Sequence, residues 1–158
     1  MPLGERALDP DTPYIVYEYS VGGKVFYVGI AAKESIRHTD RWNYVRNLVR
    51  HEDDGTLKPD KARDLYRKSN QVVAGLIRAG LQEEDMFIDD KAWEGLGREN
   101  AERAEAPLIR RRAEQGCLLA NIQHNPNNHV TVDEILAYLG VRHPGGPGGT
   151  TEVGISPT

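Results

Sequence analysis

Tyr17 and Tyr27 sit near matching ends of two short strand-like runs, Tyr14-Ile15-Val16-Tyr17-Glu18-Tyr19 and Lys24-Val25-Phe26-Tyr27-Val28-Gly29. Phenols held side by side on a rigid ribbon can fix a water and a phosphate oxygen at set positions, which phosphodiester hydrolysis asks of its orienting groups. The same reaction needs cations against the phosphate charge. Lys33, Arg37, Arg41, Arg46 and Arg50 follow within one segment, with Tyr44, His38 and His51 among them as proton carriers or further contacts. It also needs a carboxylate for a divalent ion, and Glu99, Glu102 and Glu105 lie together further along the chain.

These groups require elements to position them. Gly22-Gly23 between the two runs can take positive φ, so a tight hairpin is the economical connection. Both runs are apolar on both faces, which predicts a hairpin covered on both sides. From Ser35 to about His51 the period becomes helical, with Trp42, Val45, Leu48 and Val49 as an apolar stripe and Arg37, Arg41 and Tyr44 along its edge. Pro59 opens a helical stretch reaching Gly80, with Leu65, Val72, Val73, Leu76 and Ile77 facing inward and Ser69-Asn70 as a break. Met86-Phe87-Ile88 is the candidate for a short third strand. A helix from about Arg98 to Gln115 contains Pro107, whose missing amide is expected to kink or divide it.

Cys117 to Ile122 returns to the core, and the turn that follows carries His124 and His129 as ordinary surface residues. Thr131-Val132-Asp133-Glu134 has the capping-box pattern and opens a last short helix ending near Gly140. The expected fold is α+β: a small three-stranded antiparallel sheet, made of the N-terminal hairpin plus one strand, flanked by helices. Residues 13–142 form the single domain, 1–12 a flexible arm, and 143–158 a disordered Pro/Gly-rich tail.

A net charge of −4 over 158 residues provides no global positive field, so any contact with nucleic acid must rest on local charge. Arg110-Arg111-Arg112 is a second local cluster. The single cysteine, Cys117, excludes an internal disulfide and a cysteine-rich zinc site, and it reads as a small buried residue. No apolar run approaches the roughly 20 residues that cross a bilayer. Residues 1–11 hold no hydrophobic signal core, and a reducing, cytoplasmic compartment is expected.

Ile15-Val16-Tyr17 and Tyr27-Val28-Gly29 resemble the paired tripeptides that name the GIY-YIG nuclease superfamily, with the first glycine replaced. The resemblance extends to an arginine on the following helix, either Arg37 or Arg41, the latter preferred because Arg41-Trp42 matches a pair common in the family. Glu105-Ala106-Pro107-Leu108-Ile109 resembles the family's Glu-x-x-Leu-Ile pattern, and Leu118-Leu119-Ala120-Asn121 its leucine-asparagine ending. The likeness covers residues 13–122. It implies an endonuclease that cuts DNA with Mg²⁺ (or Mn²⁺) held by Glu105. Tyr17 would act as general base or orient the water, Tyr27 would orient it, an arginine would hold the phosphate, and Asn121 would tie the site together.

Lys33, His38, Tyr44, Arg46 and Arg50 would line the nucleic acid. The histidine or tyrosine that many members place four residues past the arginine is absent after Arg41, where Tyr44 stands three along. That departure and the substituted glycine leave a second reading: a catalytically inactive nucleic-acid-binding or protein-interaction module on the same scaffold. No separate DNA-recognition domain is evident, so specificity would come from residues 52–80 or from a protein partner, or would be weak.

Overall fold

The computed structural model describes residues 10–35 and 39–141. Arg37 and His38, residues 1–9 of the expected arm, and the expected tail lie outside the described residues. Three strands, β1 (Pro13–Val21), β2 (Lys24–Ala32) and β3 (Met86–Leu96), form one antiparallel sheet in the order β2-β1-β3. Around it pack α1 (Arg41–Asp54), α2 (Pro59–Leu65), α3 (Lys68–Arg78), α4 (Arg98–Glu114) and α5 (Val132–Tyr138). The α+β expectation therefore holds. Among the described residues no helix is long and apolar enough to cross a membrane.

The hairpin turns at Gly22 (φ 58°) and Gly23 (φ 82°), and both left-handed residues match the right-handed twist of the strands they join. Strand alternation then sends Ile15, Tyr17, Tyr19 and Val21 to one face and Val16 to the other. The first face carries the larger core, against Trp42, Val45, Leu48 and Val49 of α1, Val72, Val73 and Leu76 of α3, and Ile135 and Leu136 of α5. On the second face Val16 and Val28 meet Leu108 and Ile109 of α4, together with Leu119. Both sides of the hairpin are covered, as its unbroken apolar composition predicts. A bulge between Tyr19 and Ser20 leaves Phe26 as an extra residue on β2, and Phe26 and Tyr27 both pack with the first face.

Four local expectations need correction. The third strand is eleven residues long, not three, because β3 is an edge strand. Charged Asp89, Asp90 and Lys91 are tolerated where one side meets water, and a register break opposite Tyr17 spoils the alternation. The first helix starts at Arg41; Ser35 is not helical. The break in the 59–80 stretch falls at Tyr66-Arg67, before Ser69-Asn70, which both belong to α3. Finally, α4 runs unbroken through Pro107, whose exposed position leaves the carbonyl one turn earlier open to hydration. Cys117 is half-buried.

After α4 the chain lies against the edge of β2. The Ala120 amide donates to the Phe26 carbonyl (2.7 Å). One residue on, the Asn121 side chain acts as an additional peptide unit: the Val28 amide donates to Oδ1 (3.0 Å) and Nδ2 donates to the Val28 carbonyl (2.7 Å). Asn125 in turn donates to the carbonyls of Asn121 (2.8 Å) and Leu119 (3.2 Å). Replacing Asn121 by Ala strands two buried backbone groups, each worth about 1–3 kcal/mol when left unsatisfied. Asn121→Ala should therefore lower the unfolding free energy by at least about 2 kcal/mol in urea titration. A change below about 0.5 kcal/mol would contradict this role.

Candidate active site

Three tyrosines, not two, cluster on the first face of the hairpin. The Tyr17 and Tyr19 ring centres are 5.1 Å apart, Tyr19 and Tyr27 are 5.6 Å apart, and Tyr17 and Tyr27 are 6.2 Å apart. Tyr17 and Tyr19 share a face because they are two residues apart on β1, and Tyr19 lies directly across from Tyr27. Tyr17 is paired across the ladder with Gly29. A Cβ at position 29 would stand 2.5 Å from the Tyr17 hydroxyl oxygen and 2.9 Å from the Tyr27 ring. The final glycine of Tyr27-Val28-Gly29 thus leaves room for the Tyr17 phenol against β2.

Arg41, the first residue of α1, brings its charge to these rings. Its guanidinium carbon stands 5.8 Å from the centres of both the Tyr19 and Tyr27 rings, and Nη1 donates to Asn70 Oδ1 (2.9 Å). Asn70 is buried in α3 and donates from Nδ2 to the Asp64 carbonyl (2.8 Å). Burial works against the Arg41 charge, but the fields of Tyr19, Tyr17 and Tyr27 and a hydrogen bond with Tyr27 outweigh it and hold the guanidinium above its ordinary pKa. Burial, reinforced by the neighbouring phenols, pushes the Tyr17 hydroxyl far above the usual tyrosine value. Tyr19 is pushed up to about 12, again chiefly by burial. Both are protonated at neutral pH and act as hydroxyls, not phenolates.

A cleft of about 510 Å³ opens beside this cluster, with Tyr27, Asn121, Glu105 and Ile109 among the residues lining it. Glu105 and Ile109 are one turn apart on α4, so the packing of Ile109 against the sheet sets the carboxyl at the cleft wall. Tyr27 and Glu105 thus share one space. Arg41 and Tyr17 are not among the residues lining it: Arg41 stands behind it against the Tyr27 ring, and Tyr17 is buried at 3% exposure. Asn121 lines the cleft while its amide is occupied by β2.

The remaining predicted contacts are dispersed. Lys33 pairs with Glu94 of β3 and borders a second, smaller depression. Arg46 and Arg50 are exposed along α1. The Tyr44 hydroxyl donates to Asp64, whose carboxyl is held below its ordinary pKa mainly by that bond. His51 pairs with Thr56 (2.8 Å) at the end of α1. Of the Arg110–Arg112 run, Arg112 makes a forked ion pair with buried Glu18 (2.6 and 3.0 Å) under the sheet.

Sequence reasoning passed over Tyr19, Asn70 and His124. Tyr19 carried the signal in its two-residue spacing from Tyr17, and Asn70 in being the polar residue within an apolar helix face. His124, expected to be an ordinary turn residue, lines the cleft. Comparison with protein-family models, curated proteins and solved structures finds no match for this chain.

Among the described residues no group of three or more His, Cys, Asp or Glu side chains could cage a metal. A lone carboxylate on an open cleft suits a hard cation that keeps most of its own waters, as Mg²⁺ does. Glu105 meets that description. Desolvation, with the nearby Glu102 charge adding and Arg98 opposing, pushes its pKa up to about 7 from an ordinary 4.5. The folded chain therefore holds this proton more tightly than the unfolded chain, and ionising Glu105 as pH rises through that window costs stability. Glu105→Gln removes the cost. Relative to wild type it should gain stability progressively from about pH 5 to pH 8, by up to about 3 kcal/mol. A pH-independent difference in urea denaturation without divalent metal would contradict the desolvated carboxyl.

Proposed function

We propose that this chain is a GIY-YIG-type endonuclease that hydrolyses DNA phosphodiester bonds in the cleft between β2, α3 and α4. The observation that carries the reading is the meeting of Tyr27 and Glu105 in one cleft, with the Arg41 guanidinium against the Tyr27 ring. These residues lie on three different elements, and their meeting follows from the fold rather than from sequence proximity.

Arg41 supplies a permanent, planar positive fork for phosphate oxygens, and Asn70 fixes the orientation of that fork. Partial burial makes its field stronger than that of an arginine in solvent. Tyr27, at the cleft wall, orients the attacking water. Tyr17 acts behind it as a protonated hydroxyl that holds the tyrosine cluster in register. A protonated, deeply buried Tyr17 accounts poorly for general-base chemistry, so its role is positional. Glu105 would hold Mg²⁺ (or Mn²⁺), which when bound supplies Lewis-acid charge to the phosphate and the departing oxygen. The raised pKa of Glu105 reflects its desolvation, which a bound divalent ion would offset.

The second reading, a nucleic-acid-binding module without catalysis, is favoured by one observation: the Tyr44 hydroxyl is bonded to Asp64, which occupies the nearest substitute for the family's proton carrier. Nicking of supercoiled plasmid with and without Mg²⁺ separates the two. Under the nuclease reading, Glu105→Ala should lower the nicking rate at least about 100-fold with an unchanged circular dichroism spectrum. Tyr17→Phe should lower it less, with little change in DNA affinity. Full activity in Glu105→Ala would eliminate the metal assignment, and a wild-type chain that binds plasmid but never cuts it would favour the second reading.

A further inference from the structure

The wall of the cleft facing Glu105 is cationic, which the net charge of the chain does not foretell. Arg67 and Lys68, at the corner between α2 and α3, line it together with Ser69 and, from the turn after Asn121, His124. Among the described residues lining the cleft, Glu105 is the sole carboxylate.

Neither basic side chain is held in a close ion pair. The Arg67 Nε lies 3.9 Å from Asp64 Oδ1, a loose approach at a side chain 70% exposed, while Tyr44 donates to the other Asp64 oxygen. Lys68 Nζ donates to a neutral partner, the Asn128 carbonyl (3.0 Å). Burial holds the Lys68 pKa below the ordinary lysine value, with the field of Glu134 only partly offsetting it. An anion in the cleft would reverse that deficit. The Asn128 bond also stations the ammonium between α3 and the 121–130 turn.

The same turn has two further marks. His124 adopts φ 65°, the one non-glycine residue with positive φ among the described residues. Strained backbone of this kind persists where the surroundings over-determine it, and it concentrates at ligand clamps. Ile122 beside it lines the cleft and is 54% exposed, an apolar side chain among charges. Cations beside exposed apolar surface suit a ligand that joins phosphates to sugars and bases, and they suit free phosphate less well.

We propose that Arg67 and Lys68, with Ile122 and His124, form a strand-binding wall that grips a nucleic-acid phosphate neighbouring the one presented to Arg41 and Glu105. The proposal rests on the nuclease reading for the position of the cut phosphate, but not for the binding itself. It makes the substrate a continuous strand that crosses the cleft from α4 to the α2–α3 corner, which a mononucleotide could not do.

The test is fluorescence anisotropy with a labelled 12-nucleotide DNA single strand, using the full chain in EDTA so that binding is read without cutting. Arg67→Gln/Lys68→Gln should weaken binding about tenfold or more near 100 mM salt. It should also flatten the plot of log affinity against log salt by about 0.7, the amount for one phosphate no longer neutralised on a single strand. Arg110→Gln/Arg111→Gln, which removes the same charge from exposed positions on α4, should change either quantity little. Equal thermal midpoints confirm that the variants are folded.

Unchanged affinity and slope in Arg67→Gln/Lys68→Gln would overturn the proposal, as would an equal loss in the control pair. Equal binding of a labelled poly-glutamate peptide would overturn the assignment to nucleic acid. A wild-type chain that shows the expected binding pattern but never cuts with Mg²⁺ would sink the nuclease reading and leave this wall standing. Cutting by a wild-type chain whose Arg67→Gln/Lys68→Gln variant binds normally would do the reverse.

Discussion

The two hydrogen bonds between the Asn121 amide and the backbone of Val28 are the constraint on which the cleft depends. They connect the end of the segment that follows α4, the helix bearing Glu105, to the strand bearing Tyr27. An ordinary side-chain contact at this place would allow slip along the strand. A carboxamide that reproduces both halves of a peptide unit does not, because a shift in either direction leaves two buried backbone groups unpaired. The neighbouring Ala120–Phe26 bond and the Asn125 bonds extend the lock in both directions. Distance between the phenol wall and the carboxylate wall is thereby fixed by carboxamides that pair with backbone and by one backbone pair.

Inside that frame the electrostatics are unequal by virtue of the packing. Arg41 is partly buried, yet three phenols and one amide oxygen favour its charge. Glu105 is desolvated with little to favour its charge, and its pKa rises accordingly. One group is a settled cation and the other an anion awaiting a partner. That asymmetry suits a site which binds phosphate on one side and a divalent ion on the other, and it is the physical core of the proposed nuclease function.

Much of the fold was legible because its devices are local. Gly22-Gly23 announces a hairpin, apolar runs on both faces announce a covered sheet, and the Thr131–Glu134 capping box announces α5, where the Thr131 hydroxyl accepts from the Glu134 amide (3.1 Å). The helical stripe of Trp42, Val45, Leu48 and Val49 is buried as its period requires. What escaped depends on tertiary context. An edge strand carries charges that erase its period, so β3 looked like three residues. The value of Gly29 lies in what sits across the ladder from it, and spacing along one strand cannot show that. Asn70 looked like a helix breaker because its partners, Arg41 and the Asp64 carbonyl, meet it only in the folded chain. His124 reached the cleft through a left-handed turn that polar composition suggests only as a turn. Tyr27 and Glu105 were singled out by the resemblance, whereas their common cleft is a property of the fold alone.

Manganese is the most direct probe of whether the phenol, the guanidinium and the carboxyl face a common space that a divalent ion enters. Substoichiometric Mn²⁺ added to isotopically labelled protein broadens nuclear resonances steeply with proximity. The account predicts broadening centred on Glu105 and spreading to the Tyr27 ring, Asn121 and the Arg41 guanidinium, all of it lost in Glu105→Gln. Broadening centred on the acidic stretches at Glu83–Asp85 or Asp89-Asp90, with Tyr27 untouched, would contradict it.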